Sequence, residues 1–358
     1  MEFHCKTRIL AGQGVLAQLK KQNIRRLLLV CDPFFVKNGW AERIKDLAQP
    51  EEWALFDEVT PDPSVALAAK GTAKMTEFRP DTVLALGGGS AMDCAKAMLF
   101  FSEQPARLIA VPTTSGSGSE VTDFTILTHE GVKHPLIDEK LCPEMAILDS
   151  DLLVTLPGSL IADCGFDVLA HAAEAYVATE STPFTDAFAE AAFSKVLQLL
   201  PASFRGETVP RLEIHCCATM AGVAFNQAGL GLCHALAHSL GGEFHIPHGR
   251  LNGILLPAVV EHNRAAKSKY AALARRAGLP GVSDTIAVKN LKNALCHLRQ
   301  ELHMAETLSM AGISPSTVWE KREKLIAAAV KDPCCKTNPQ IVTAETVWSV
   351  LQEVTGRG

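Results

Sequence analysis

A run of apolar residues closes on three glycines and passes at once into helical spacing: DTVLALGGGS is followed directly by AMDCAKAMLF. Few folds accept that succession. A short buried strand, a turn without side chains and a helix that doubles back are the parts of a parallel βαβ unit. Gly87, Gly88 and Gly89 let the backbone come close to a ligand, and the first turn of the following helix leaves amide donors that the helix itself does not use. Such a helix start suits a diphosphate, with Ser90 placed to cap the helix or to donate to phosphate. The loop is neither the GxGxxG fingerprint nor GxxxxGK[ST], so a plain structural turn stays open as its other reading.

The same alternation runs through the first 150 residues. RRLLLVCD predicts a buried strand over residues 26–31, ending at Asp32. Residues 40–48 have helical spacing, WALFDEV is a second strand closed by TPDP, residues 64–78 are helical, and ARLIAVPTT is a further strand. Short apolar strands alternating with helices predict a mostly parallel sheet flanked by helices. The character changes after AILDSDLLVTLP. From about residue 158 the chain is rich in Ala and Leu at helical spacing, without a convincing strand, and breaks fall near Pro183, at Pro201–Pro210, at Gly229–Gly231, at Gly241–Pro247 and at Gly281. At 358 residues the chain is long for one core. The expectation is an α/β nucleotide-binding domain over residues 1–155 and an all-helical domain over residues 156–358.

Composition narrows the partners. The net charge is −5 and no long basic block occurs, which argues against nucleic acid. No apolar run approaches the length of a membrane span, and MEFHCKTRIL lacks the basic head and apolar body of a secretory signal. The 11 cysteines are scattered, with no CxxC pair and only the doublets at 216–217 and 334–335. Free thiols in a reducing cytoplasm fit this better than a disulfide scaffold.

Other residues extend the glycine loop. PTTSGSGSE, residues 112–120, is a second polar loop after a strand, and its hydroxyls suit a ribose or a nicotinamide amide. Both loops follow strand ends of one sheet, where open sheets bind ligands. Asp32 at the end of the first predicted strand would accept both hydroxyls of an adenosine ribose and repel a 2′-phosphate, which favours NAD over NADP; a simple turn residue is the alternative. Asp93, in the first turn of its helix, also complements the helix dipole. Lys96 is as readily structural as functional.

The second constellation is metal-like. Asp167 and His171 are four apart in GFDVLAHAAEAY, and His234 and His238 repeat that spacing in GLCHALAHSLGGEFHIPHG, so each pair shares one helix face. His248 follows after a turn containing Gly and Pro. Carboxylate and imidazole donors suit a borderline divalent ion, Fe2+ or Zn2+. The five candidates exceed a tetrahedral set, and a catalytic metal keeps one position open, so one histidine is free to relay protons. Spacing alone does not say which. His245 is the weaker neighbour, a pocket residue or a packing one, and Cys164 and Cys233 read as packing residues.

LALGGGSAMDCAKA, VPTTSGSGSEVTDF, GFDVLAHAAEAYVA and GLCHALAHSLGGEFHIPHG together resemble the signatures of the iron-containing, group III alcohol dehydrogenases. The resemblance spans essentially the whole chain, including the late Asn338–Pro339. TPDP near residue 60, SAMD near 90 and PFTDAFAE from 183 are most similar to the propanol dehydrogenases of propanediol utilisation and their ethanolamine-utilisation relatives. The resemblance implies a dehydroquinate-synthase-like fold, with Asp167, His171, His234 and His248 as metal ligands and His238 as the proton-transfer residue. It implies a pyrophosphate loop at Gly87, Gly88, Gly89 and Ser90, with Asp93, Thr113, Thr114, Ser117 and Lys133 as further cofactor contacts and Asp32 favouring NAD. Ser117 stands where Thr is commoner, which keeps the hydroxyl. The implied reaction interconverts short-chain aldehydes, propionaldehyde or acetaldehyde, with primary alcohols. The cysteine usage points to the cytoplasm and the common default for oligomers to a symmetric homodimer, with association to a bacterial microcompartment left open. The rival readings are a zinc-dependent polyol dehydrogenase and an NAD-dependent carbon–oxygen lyase resembling dehydroquinate synthase.

Overall fold

The structure, a computed structural model, describes residues 3–102, 104–129 and 132–356. Chain contacts divide it into two compact units, His4–Thr155 and the chain from Leu156 onward together with Phe3.

The first unit carries strands β1 (Arg8–Gly12), β2 (Arg26–Cys31), β3 (Glu52–Phe56), β4 (Thr82–Gly87), β5 (Arg107–Pro112), β6 (Phe124–His129), β7 (Val132–Ile137) and β8 (Met145–Asp149). Its helices are α1 (Pro33–Lys37), α2 (Trp40–Ala48), α3 (Val65–Phe78) and α4 (Gly89–Ser102). Six strands form one sheet in the order β1-β8-β5-β4-β2-β3, and every pairing in it is parallel. The inner strands β2, β4, β5 and β8 are almost wholly apolar because both their faces are covered, whereas the edge strands β1 and β3 are partly exposed. Leu27, Leu29 and Cys31 of β2 pack with Leu84, Leu86, Ile109 and Val111 on the face that takes Ile44 and Ala48 of α2. Leu28 and Val30 point the other way with Val83, Ala85 and Ala110, against Met75 of α3 and Ala91, Cys94 and Met98 of α4. Each such buried side chain contributes roughly 1.5–3 kcal/mol. The expected strands and helices of this half are present. The edge strand β1, strand β8 and the antiparallel hairpin β6–β7 are additions that the sequence pattern did not signal.

The second unit is helical: α5 (Gly158–Val177), α6 (Pro183–Phe204), α7 (Thr208–Ala228), α8 (Leu232–Phe244), α9 (His248–His262), α10 (Lys267–Arg276), α11 (Asp284–Glu301), α12 (Pro315–Glu320), α13 (Arg322–Lys331) and α14 (Ala344–Thr355). Helix α5 is buried on nearly every side and packs against α6, α7, α8 and α9. Two expected breaks move. Pro201 lies inside the last turn of α6 and Pro210 in the first turn of α7, so the chain leaves the helix only at residues 205–207. A first-turn proline lacks an amide that would have had no helical partner anyway. Likewise α8 runs through Gly241 to Phe244 before it ends. Among the described residues no single helix is long and apolar enough to cross a membrane.

Lys96 is the main polar tie within the first unit. Its ammonium is fully buried and donates to Thr122 O at 2.8 Å, Thr122 Oγ1 at 2.9 Å and Phe124 O at 2.9 Å. An ammonium has three donors, and all three are used. Burial lowers its pKa to about 8. The residue pins α4 to the segment that enters β6, a structural task. Lys96→Met should leave those acceptors unmatched and cost about 2–4 kcal/mol in urea unfolding; an unchanged unfolding midpoint would contradict this role.

Candidate active site

Helix α5 presents Asp167, His171 and Glu174 on one face, because steps of four and three residues return to the same side. Helix α8 brings His234 and His238, and α9 opens with His248. Three imidazole Nε2 atoms gather on one carboxylate oxygen: Asp167 Oδ1 lies 3.9 Å from His171, 3.9 Å from His234 and 3.5 Å from His248. A tetrahedral ion with bonds of about 2.1 Å separates its ligand atoms by about 3.4 Å. Asp167, His234 and His248 offer donor atoms that all lie within 4.8 Å of one another, a spacing suited to a divalent cation. His171 is 3.9 Å from Asp167 but outside that group, so a set of four needs His171 to move inward, and no thiolate is among them. The His171 ring stacks on His234, with centroids 4.5 Å apart, and on Phe225 at 4.3 Å. Burial, reinforced by the neighbouring imidazoles, holds the His234 pKa well below its usual value. The ring is therefore neutral, which is the form that ligates metals.

Glu174 sets His234 in place and was not among the residues singled out from the sequence. Helix α8 starts at Gly231 with no side chain of its own to cap it. Glu174, reaching from α5, accepts the Cys233 amide at 2.6 Å and the His234 amide at 3.3 Å, and its Oε2 is 2.6 Å from His234 Nδ1. Asn338 Oδ1 accepts the Leu232 amide at 3.1 Å. The amides that begin α8 are thus satisfied from two distant parts of the chain. Burial pushes the Glu174 carboxyl up to about 7, against the pull of these N–H groups. Gly231 is required by the close approach: a Cβ there would lie 2.7 Å from Asn338 Oδ1 and 2.8 Å from Glu174 Oε1.

Helix α9 is drawn equally close to α5. A Cβ on Gly249 would lie 2.0 Å from the Asp163 carbonyl oxygen, so only glycine lets the residue after His248 pass there. Arg250 then grips Asp163 through Nε at 3.3 Å and Nη2 at 3.0 Å. Asn252, one turn beyond His248, is fully buried among the ligands and was also missed in the sequence.

His238 stands beside this set. Its ring stacks on His248, with centroids 5.2 Å apart, while its Nδ1 bonds Asp332 Oδ2 at 2.9 Å. Asp332 also accepts the Cys334 amide at 2.9 Å. Burial raises the Asp332 carboxyl, but the bond and charge of His238 together with the hydrogen bonds from Cys334 outweigh it, so Asp332 sits below its usual value. His245 is exposed, with φ of 56°, and is the left-handed residue that terminates α8.

The other candidate residues lie in the first unit. The chain leaves β2 for β3 on one side and returns to place β4 on the other, so the connection direction reverses between β2 and β4. Carboxyl ends at such a reversal form a ligand crevice. The register Cys31 to Leu86 sets Asp32 beside Gly87 at that edge. Asp32 caps α1 by accepting the Phe34 amide at 2.8 Å. Helix α4 starts at Gly89 rather than at Ser90, with the Gly88 carbonyl accepting the Ala91 amide at 3.1 Å. The two polar loops interlock: a Cβ on Gly88 would lie 3.1 Å from Thr114 Oγ1, one on Gly89 would lie 3.3 Å from Ser117 Cβ, and the Thr113 amide donates to Gly87 O at 3.0 Å. Lys133 on β7 pairs with Asp62 at 2.7 Å. Asp93 is half-buried, and burial raises its carboxyl to about 6, opposed by Lys96, the Ile126 amide, Thr125 and Lys133.

One unit is α/β with a glycine-rich switch-point crevice, the other is helical with converging Asp and His donors, and comparison with known proteins specifies the class. Residues 6–150 match the family model of iron-containing alcohol dehydrogenase, and residues 161–355 match that of the Fe-containing alcohol dehydrogenase family, C-terminal. The chain is 39% identical to 1-propanol dehydrogenase PduQ of Citrobacter freundii, over 98% of this chain and 99% of that one. It is 34% identical to the NADPH-dependent butanol dehydrogenase of Clostridium saccharobutylicum, over 98% and 97%. An iron-containing alcohol dehydrogenase from Thermococcus thioreducens superposes with a TM-score of 0.92 at 30% identity, covering 99% of both chains. The chain belongs to the iron-containing alcohol dehydrogenase family. It is an oxidoreductase that interconverts aldehydes and alcohols on a dehydroquinate-synthase-like fold, and NAD(H) and Fe2+ are the cofactors of that family.

The Asp93 carboxyl moves from an ordinary value near 3.8 to about 6 on folding. Between those values the folded chain holds a proton that the unfolded chain has released. The stabilising contribution of Asp93 is therefore complete below about pH 4 and lost as pH rises through 6. Asp93→Asn should flatten urea stability between pH 4 and 6 and gain about 1–3 kcal/mol at pH 7. An unchanged slope with no gain would show that the buried carboxyl is not strained.

Proposed function

We propose that this chain reduces short-chain aldehydes, propionaldehyde and acetaldehyde, to primary alcohols with NADH, and runs the reverse with NAD, using Fe2+ held by Asp167, His171, His234 and His248. The observation that carries this reading is the gathering of three Nε2 atoms on Asp167 Oδ1. Bound there, the ion supplies Lewis acidity toward a carbonyl or alkoxide oxygen, as the nicotinamide supplies the hydride. Zn2+ suits the same donors.

The protein's own groups do the rest. Asp167 brings the negative charge of the set, and the imidazoles bring neutral lone pairs. His238 is the proton carrier: Asp332 takes the Nδ1 hydrogen and so leaves Nε2 as the ring's acceptor. In the unit we assign to NAD, residues 1–155, the amides at Gly88, Gly89 and Ser90 receive the pyrophosphate. Asp93, Thr113, Thr114 and Ser117 hold the nicotinamide end, and Lys133 contributes a donor not engaged by Asp62. Asp32 accepts the adenosine ribose hydroxyls and disfavours a 2′-phosphate. Residues 156–358 form the metal-binding domain. A lyase acting on an acidic substrate is disfavoured because Arg250, the basic residue nearest the motifs, is engaged by Asp163. The wider setting in this proposal is a cytoplasmic homodimer serving propanediol or ethanolamine utilisation, with association to a microcompartment left open. The identity to 1-propanol dehydrogenase PduQ supports the propanol part of it.

The test is NADH oxidation by propionaldehyde with protein purified anaerobically and loaded with iron. Wild type should turn over, and His248→Ala should lose bound iron and activity together. His238→Ala should keep its iron and fall about 10²–10⁴-fold in rate. Iron and rate retained in His248→Ala would overturn the ligand set, and iron lost from His238→Ala would overturn the division of roles.

A further inference from the structure

Asn252 Nδ2 sits among the presumed ligand atoms themselves. It lies 2.8 Å from Asp167 Oδ1, 3.2 Å from His248 Nε2 and 3.4 Å from His234 Nε2. Its other end is also fixed, since Asn252 Oδ1 is 3.5 Å from the Sγ of buried Cys233. A thiol there donates to the amide oxygen, which leaves the NH2 group facing the acceptors. His234 receives matching instructions on both nitrogens: Glu174 is the acceptor for Nδ1–H, and Asn252 is the donor to Nε2. The ring is thereby held in the tautomer whose lone pair points to the centre of the site.

We propose that Asn252 is the positioning residue of the metal site. Its amide, with two N–H groups shared among three acceptors, stands in for the cation among Asp167, His234 and His248, and it stays on Asp167 once the imidazole lone pairs are taken by the ion. A buried carboxylate without a donor is costly, and imidazoles without one would be free to turn. The amide prevents both and keeps the donors a short distance from their bound arrangement. This inference rests on the reading of Asp167, His234 and His248 as ligands.

Two full-length variants test it. Asn252→Leu keeps the volume and removes the donor; Asn252→Ser is small enough for any neighbour and cannot span the three acceptors. Metal-free wild type and variants, checked for folding by circular dichroism, are titrated with Co2+ against a chelator, with the visible d–d bands reporting coordination. The expected result is Co2+ affinity lowered about 10–100-fold, with faster release to the chelator and wild-type bands at saturation because the four ligands remain. Co2+ affinity within twofold of wild type in a folded variant overturns the role of Asn252 while leaving the metal site intact. Wild type that takes up no Co2+ overturns the metal reading, and this inference with it. If Asn252→Leu does not fold, Asn252→Ser decides.

Discussion

One buried carboxylate holds the helical unit in a chemically useful arrangement. Glu174 belongs to α5 but completes the start of α8, accepting the amides of Cys233 and His234 and the ring nitrogen of His234. A helix start without acceptors would be expensive inside this core. The bond therefore fixes the register between the helix that carries Asp167 and His171 and the helix that carries His234. Gly249 and the Arg250–Asp163 pair attach α9, and with it His248, to the same α5. Every donor of the metal set is thus placed by its relation to one central helix. That is why Asp167, His234 and His248, up to about 80 positions apart in the chain, can bring donor atoms within 4.8 Å of one another.

The two units carry separable parts of the proposed chemistry. In His4–Thr155, the parallel sheet places Asp32, the glycine loop and the threonine-rich loop at the carboxyl ends of adjacent strands, and the side chains of one loop fill the space left by the glycines of the other. Lys96 and Asp93 on α4 show the cost of that arrangement. One buries an ammonium fully bonded to the neighbouring segment, and the other keeps a carboxyl in surroundings that favour its neutral form. In the helical unit, burial does the opposite service for His234, keeping its imidazole unprotonated and ready to ligate.

Much of this was legible in the residues, for physical reasons that differ by element. Strands β2, β4 and β5 are buried on both faces and bounded by turns, so their apolar runs stand out; the Asp/His pairs stand out because a four-residue step puts both on one helix face. Strand β1 is invisible because it is a largely exposed edge, and β7 because it contains Pro135 with Lys133 and His134. The supporting residues divide similarly. Glu174 lies three residues after His171 and had a spacing signal that was overlooked. Asp332 and Asn338 reach the site from about 100 residues away, so only the folded chain shows that they touch His238 and the start of α8. Pro201 and Pro210 misled in the opposite sense: Pro210 sits in a first turn that needs no amide there, and α6 continues three residues beyond Pro201.

The central claim is that the ion is held by one carboxylate and three imidazoles, with the nearby thiols of Cys233 and Cys334 outside its shell. X-ray absorption at the iron edge of the metal-loaded, full-length protein tests this most directly. The account predicts only nitrogen and oxygen scatterers at about 2.0–2.2 Å, with multiple scattering from three imidazole rings. A sulfur scatterer at about 2.3 Å, or a shell with fewer than three imidazoles, would contradict it.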